Sequence, residues 1–272
     1  MFFSFLYISV NAFLTPFNSI NSNNKNIYMN ALYDPPQPVY NIDSINNEKS
    51  NFDYKLLPVQ GGSLKTWSFK SPDIDRVQVI LSSEGRPLDA NVELWHGPDN
   101  TPCKLRIYSE NGNERPFSTV IETPRGPNTI SIKNVGQIEF PLEASVFGSN
   151  MDKPNQECIS SSKTIQGGAL KTYPFDPRVD SVQILLKTDG RPLNSRIELM
   201  QGPNNNKQVI ELFAEDGCDR PFFCILETPG SGNVIRVVNT APVEFPLLAS
   251  VVANSYDNNF DFSTVVSGTM QN

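Results

Sequence analysis

The residues of this chain that could do acid–base or anion chemistry come in pairs. Arg86, Glu93, Arg115 and Glu122 return about 105 positions later as Arg191, Glu198, Arg220 and Glu227. Each pair admits two chemistries. An arginine in a Gly-Arg-Pro-Leu turn, as at Arg86 and Arg191, can hold an anion or can pin the turn by bonding a carboxylate or backbone carbonyls. A glutamate can be half of a catalytic carboxylate pair, but that needs a second acid facing it across a cleft. Lying mid-strand or at strand ends in both copies, Glu93/Glu198 and Glu122/Glu227 suit cross-strand ion pairs with Arg86/Arg191 and Arg115/Arg220 better. The single histidine, His96, is replaced by Gln201 in the second copy, so no general base is repeated. The sequence carries no nucleophile elbow, P-loop, Gly-rich dinucleotide turn or His/Asp/Glu metal cluster. The expectation is a protein that is not an enzyme, with no catalytic residue, cofactor or metal site.

What must position these pairs is a duplicated scaffold. Gln60-Gly61-Gly62-Ser63-Leu64-Lys65-Thr66-Trp67 returns as Gln166-Gly167-Gly168-Ala169-Leu170-Lys171-Thr172-Tyr173. Gly85-Arg86-Pro87-Leu88 returns as Gly190-Arg191-Pro192-Leu193, and Glu139-Phe140-Pro141-Leu142 as Glu244-Phe245-Pro246-Leu247. Each copy shows about seven short apolar or alternating runs between Gly, Pro and Asn turns, from Leu64–Phe69 to Phe140–Val146 and from Leu170–Phe175 to Phe245–Val252. No stretch has a convincing helical period. The pattern predicts an all-β protein: two tandem homologous antiparallel β-sandwich or jelly-roll-like domains in a pseudo-twofold relation, plus an extended C-terminal tail.

The expected boundaries are a presequence over 1–30, a Pro/Asn-rich linker over 31–57, the first repeat over 58–148, a linker over 149–163, the second repeat over 164–252 and a tail over 253–272. Met1–Asn30 has one Lys and no acid. A short apolar run ends at Asn11-Ala12, and an acid-free, Ser/Thr/Asn-rich stretch follows. Together they read as a signal peptide followed by a transit segment, the bipartite address of a secondary plastid; plain secretion is the alternative. The four cysteines, Cys103, Cys158, Cys218 and Cys224, match no zinc or redox spacing and read as free thiols of a reducing compartment. A net charge of −7 argues against nucleic acid and anionic membrane as partners. Past the presequence no apolar run is long enough to span a membrane. In the tail, Tyr256 precedes Phe260 and Phe262, whose i, i+2 spacing puts both rings on one face of an extended strand. Such a strand could pair with the sheet edge of a neighbouring copy; a disordered tail is the alternative.

The string from Gly85 to Asn100 (Gly-Arg-Pro-Leu-Asp-Ala-Asn-Val-Glu-Leu-Trp-His-Gly-Pro-Asp-Asn), its second copy over 190–205, and the Glu-Thr-Pro and Glu-Phe-Pro-Leu strings resemble the diatom pyrenoid shell proteins. The resemblance covers roughly residues 58–252. It implies a structural, self-assembling protein, with further copies of itself, Rubisco or other pyrenoid proteins as partners. It further implies a sheet that encases the Rubisco condensate at the pyrenoid periphery in the plastid stroma and limits CO2 leakage. On this reading Arg86, Arg191, Arg115, Arg220, Glu122, Glu227, Tyr256, Phe260 and Phe262 are assembly or structural residues. The alternative is a tandem β-sandwich binding module, lectin-like, whose two copies supply avidity.

Overall fold

The computed structural model of the chain describes residues 55–71 and 73–257. The presequence, most of the first linker, and Phe260 and Phe262 lie outside the described residues. The first repeat supplies β1 (Leu57–Val59), β2 (Leu64–Phe69), β3 (Arg76–Ser82), β4 (Leu88–His96), β5 (Cys103–Ser109), β6 (Phe117–Glu122), β7 (Asn128–Asn134) and β8 (Leu142–Phe147). A short helix, α1 (Gln156–Ser160), lies in the linker. The second repeat supplies β9 (Lys163–Ile165), β10 (Leu170–Pro174), β11 (Val179–Lys187), β12 (Leu193–Gln201), β13 (Asn206–Ala214), β14 (Phe222–Glu227), β15 (Asn233–Asn239) and β16 (Leu247–Tyr256). No helix among the described residues is long and apolar enough to cross a membrane.

The expected all-β antiparallel architecture is present, and the repeats share it. Two eight-stranded sheets run in the orders β1-β8-β3-β6-β14-β11-β16-β9 and β10-β15-β12-β13-β5-β4-β7-β2. Each order is a palindrome once second-repeat strands are matched to their first-repeat counterparts. The seams are β6–β14 in the first sheet and β5–β13 in the second. At their centres equivalent residues face each other: Thr119 opposite Cys224, and Arg106 opposite Glu211. A pseudo-twofold axis therefore passes through both pairs. One apolar core, including Leu81, Val92, Ile107 and Phe117 from one repeat and Ile184, Ile197, Ile210 and Phe222 from the other, fills the space between the sheets. Alternation along the strands explains it. In β4 the residues Leu88, Ala90, Val92 and Leu94 are buried while Asp89, Asn91 and Glu93 point away.

Repeated polar side chains hold the outer strands in register. Asn134, buried at the end of β7, donates to the carbonyls of Val59 and Phe140 at 2.9 and 2.8 Å and accepts from Gly136 N. Asn239 does the same with Ile165, Phe245 and Ala241. The glycine before each edge strand answers a steric demand. A Cβ on Gly61 would sit 1.8 Å from the Gln137 carbonyl oxygen, and one on Gly167 1.7 Å from that of Pro242. The three-residue strands β1 and β9 depend on these contacts as well as on their own pairing. Replacing Asn134 with Ala should cost about 2–3 kcal/mol in urea unfolding, because two buried carbonyls and one amide lose their partner. An unchanged midpoint would show that the Asn is dispensable.

Candidate functional site

Each repeated arginine in a Gly-Arg-Pro-Leu turn acts as a clamp. Arg86 donates to the Glu139 carbonyl at 3.1 Å and its guanidinium lies 5.3 Å from the centre of the Phe140 ring. Arg191 donates to the Glu244 carbonyl at 2.5 Å and lies 5.4 Å from the Phe245 ring centre. Of the two roles open to these arginines, turn pinning is the one built here. The Gly-Arg-Pro-Leu and Glu-Phe-Pro-Leu strings are thus two halves of one contact, made by a carbonyl and a ring face.

Glu93, Glu122 and Glu198 take partners other than those expected. Glu122 faces Arg76 across the β3–β6 ladder, 3.8 Å away, and not Arg115. Burial pushes its carboxyl above the usual range, against the pull of Arg76. Glu93 accepts from the Trp95 indole at 2.9 Å and not from Arg86. Glu198, almost fully buried, sits between Arg196 (2.9 Å) and Arg236 and does not meet Arg191. Strand pairing sets Arg76 opposite Glu122 and Arg236 opposite Glu198, which turn position does not reveal; Arg196 is two residues from Glu198 on the same strand.

Arg115 and Arg220, both buried, lie at the seams. Arg115 reaches Gln201 of the other repeat at 3.3 Å, beside its own neighbour Glu114. Arg220 lines a cavity of about 10 Å³ with Cys103, Glu122 and Phe222. That volume is room for about one water molecule and no substrate. Further bonds cross the seams: Lys207 to Glu110 at 2.6 Å, Arg125 to Asp219 at 2.5 Å, and the Thr119 hydroxyl to the Phe223 carbonyl at 2.8 Å. Among the described residues, no group of three or more His, Cys, Asp or Glu side chains is placed to hold a metal ion.

Sequence reasoning missed the path of the inter-repeat linker. It crosses the outer face of the first sheet, gripped by two equivalent glutamines. Gln78 accepts from Asp152 N at 2.8 Å and donates to the Asp152 carboxylate at 2.6 Å. Gln183 accepts from Asn155 N at 2.9 Å, and Asn155 caps α1 by accepting from Cys158 N. Beneath the linker, Met151 and Cys158 pack on Val120, Leu185, Phe223, Ile225 and Val252, a second apolar cluster outside the main core. The available signal was a glutamine at the same place in two strands, each set within an apolar run, Val77-Gln78-Val79-Ile80-Leu81 and Val182-Gln183-Ile184-Leu185-Leu186. At the other end of the second repeat, β16 runs to Tyr256, so the first four residues assigned to the tail are strand. Tyr256 is 57% exposed there.

The sequence pattern of the diatom pyrenoid shell proteins matches residues 48–253. The chain belongs to that family. Membership makes it a structural pyrenoid shell protein, and it places the protein at the plastid pyrenoid. The match spans all sixteen strands except the last three residues of β16. No curated protein matches the chain. Among solved structures, similarity is found to the crystal structure of PBSX exported protein XepA, at 11% identity and a TM-score of 0.25, covering 72% of this chain and 85% of that one.

Two measurements check this description of the shell protein. Replacing both Gln78 and Gln183 with Leu should release the linker and speed proteolysis within residues 150–162 at least several-fold; unchanged cleavage would contradict the grip. All four thiols are free, with Cys218 exposed and Cys103, Cys158 and Cys224 buried. Burial pushes the Cys103 thiol up to about 12, although Arg220 pulls it back, and raises the other two as well. One thiol per chain should therefore react quickly with Ellman's reagent, and the other three only after denaturation.

Proposed function

We propose that copies of this chain assemble with one another into the sheet that encloses the Rubisco condensate, at the pyrenoid periphery in the plastid stroma, and that this layer slows the escape of CO2. Family membership over residues 48–253 carries the reading. The physics of the fold supports it. Duplication gives one chain two similar halves about an axis, so whatever contact one half makes the other can repeat on the opposite side. Contacts of that kind that do not close on themselves extend into open arrays. Arg86, Arg191, Arg115, Glu122 and Glu198, repeated groups that could have served catalysis, have partners within the fold. Rubisco or another pyrenoid protein is a second partner on this reading, reached from one face of the layer. The C-terminal segment after Asp257 is the proposed lock between copies, its alternating aromatics suited to strand addition at a sheet edge.

Negative-stain microscopy of the purified chain should show ordered sheets or tubes. A chain that stays monomeric at high concentration and binds glycans would instead establish the lectin-like alternative. Deleting residues 258–272 leaves β16 whole and should abolish or loosen the ordered sheets. Normal sheets from the truncated chain would rule out the tail as the lock.

A further inference from the structure

Exposed apolar side chains on this protein are not scattered at random. Leu64 and Leu170, equivalent residues at the starts of β2 and β10, are 49% and 57% exposed. Ile138 and Val243, equivalent residues of the Glu-Phe-Pro-Leu loops, are 77% and 74% exposed. Elsewhere such exposure has not been kept in both copies. Val135 corresponds to Thr240, and Leu248 to Glu143. At the Ile138/Val243 position the side chain has changed while staying apolar and exposed.

Each pair belongs to one end of the shared sandwich. The missing Cβ of Gly61 points 2.7 Å from the Ile138 Cα, and the turn containing Gly61 leads directly into Leu64. The missing Cβ of Gly167 points 2.8 Å from the Val243 Cα, beside Leu170. Both ends also carry exposed charge of both signs: Arg86 and Lys133 with Glu139 at one, Arg191 with Glu244 at the other, beside the half-buried Lys65 and Lys171. An end that joins an apolar pair to bases and an acid can meet another such end turned so that acid faces base.

The obvious mode of meeting, the edge strand of one sandwich beside that of the next, is hindered. Lys65 lies opposite Ile132 and Lys171 opposite Val237, on the same side of their strands as the buried core residues. A lysine pointing inward from an edge strand must bring its charge out past the edge strand of another sandwich, a device that works against one sheet continuing into the next. In the other sheet the edges are only three residues long, and one of them holds Pro58.

We infer that each end of the sandwich docks the end of a second copy through Leu64 and Ile138, or Leu170 and Val243, side chain against side chain and without continuing either sheet. This rests on the assembly reading and names its contact. The full chain carrying both Ile138→Asp and Val243→Asp is compared with the parent and with an Ile159→Asp control, Ile159 being an exposed linker residue. The double variant should keep its circular dichroism and melting temperature, and should need at least tenfold more protein to assemble by sedimentation; the control should assemble like the parent. If the double variant assembles like the parent, or the control fails equally, this docking surface is overturned while the assembly reading stands. A parent that is monomeric throughout overturns both.

Discussion

Everything else in this protein depends on two pairs of strands meeting at their edges. The β6–β14 and β5–β13 seams convert two repeats, each of which would leave open sheet edges, into a pair of continuous sheets over one core. The seams satisfy backbone groups that would otherwise face water, and they bring Ile107 beside Ile210 and Leu105 beside Leu212. The register at the axis is specific. Arg106 faces Glu211 where identical repeats would put like charges opposite each other, a destabilising arrangement in a sheet. The two copies have diverged at the one place where symmetry is costly.

The chemistry that first drew notice belongs to this framework. Arg86 and Arg191 hold the loops that finish each half, Arg115 and Arg220 sit at the seams, and Glu122 and Glu198 balance cations within their own sheets. Repetition of a charged residue was a poor guide to its partner: Glu122 meets Arg76 and not Arg115, and Glu93 meets the Trp95 indole and not Arg86.

Much of the fold was legible because short apolar or alternating runs lie between turns. Leu64–Phe69 falls at the bounds its pattern predicts. The three-residue strands β1 and β9 were not legible, because so short a run has no period and is fixed by Asn134 and Asn239 from elsewhere. Nor was the sharing of the sheets. Two repeats that read alike give no local sign of whether each closes on itself or on its twin. The site was legible as a set of repeated residues, and its geometry was set by strand pairing across about a hundred positions of chain.

The linker has one more effect. Two equivalent glutamines stand on the outer face of the first sheet, yet there is a single strap, and it sets α1 against β11 and β16, on the second repeat's side of the axis. An object with perfect twofold symmetry has no left and right about its axis. This one does, so a layer built from it would inherit a grain: α1 lies on one flank of each copy and has no counterpart among the described residues on the other. Direction, and with it a route to curvature, enters through a dozen residues that belong to neither repeat.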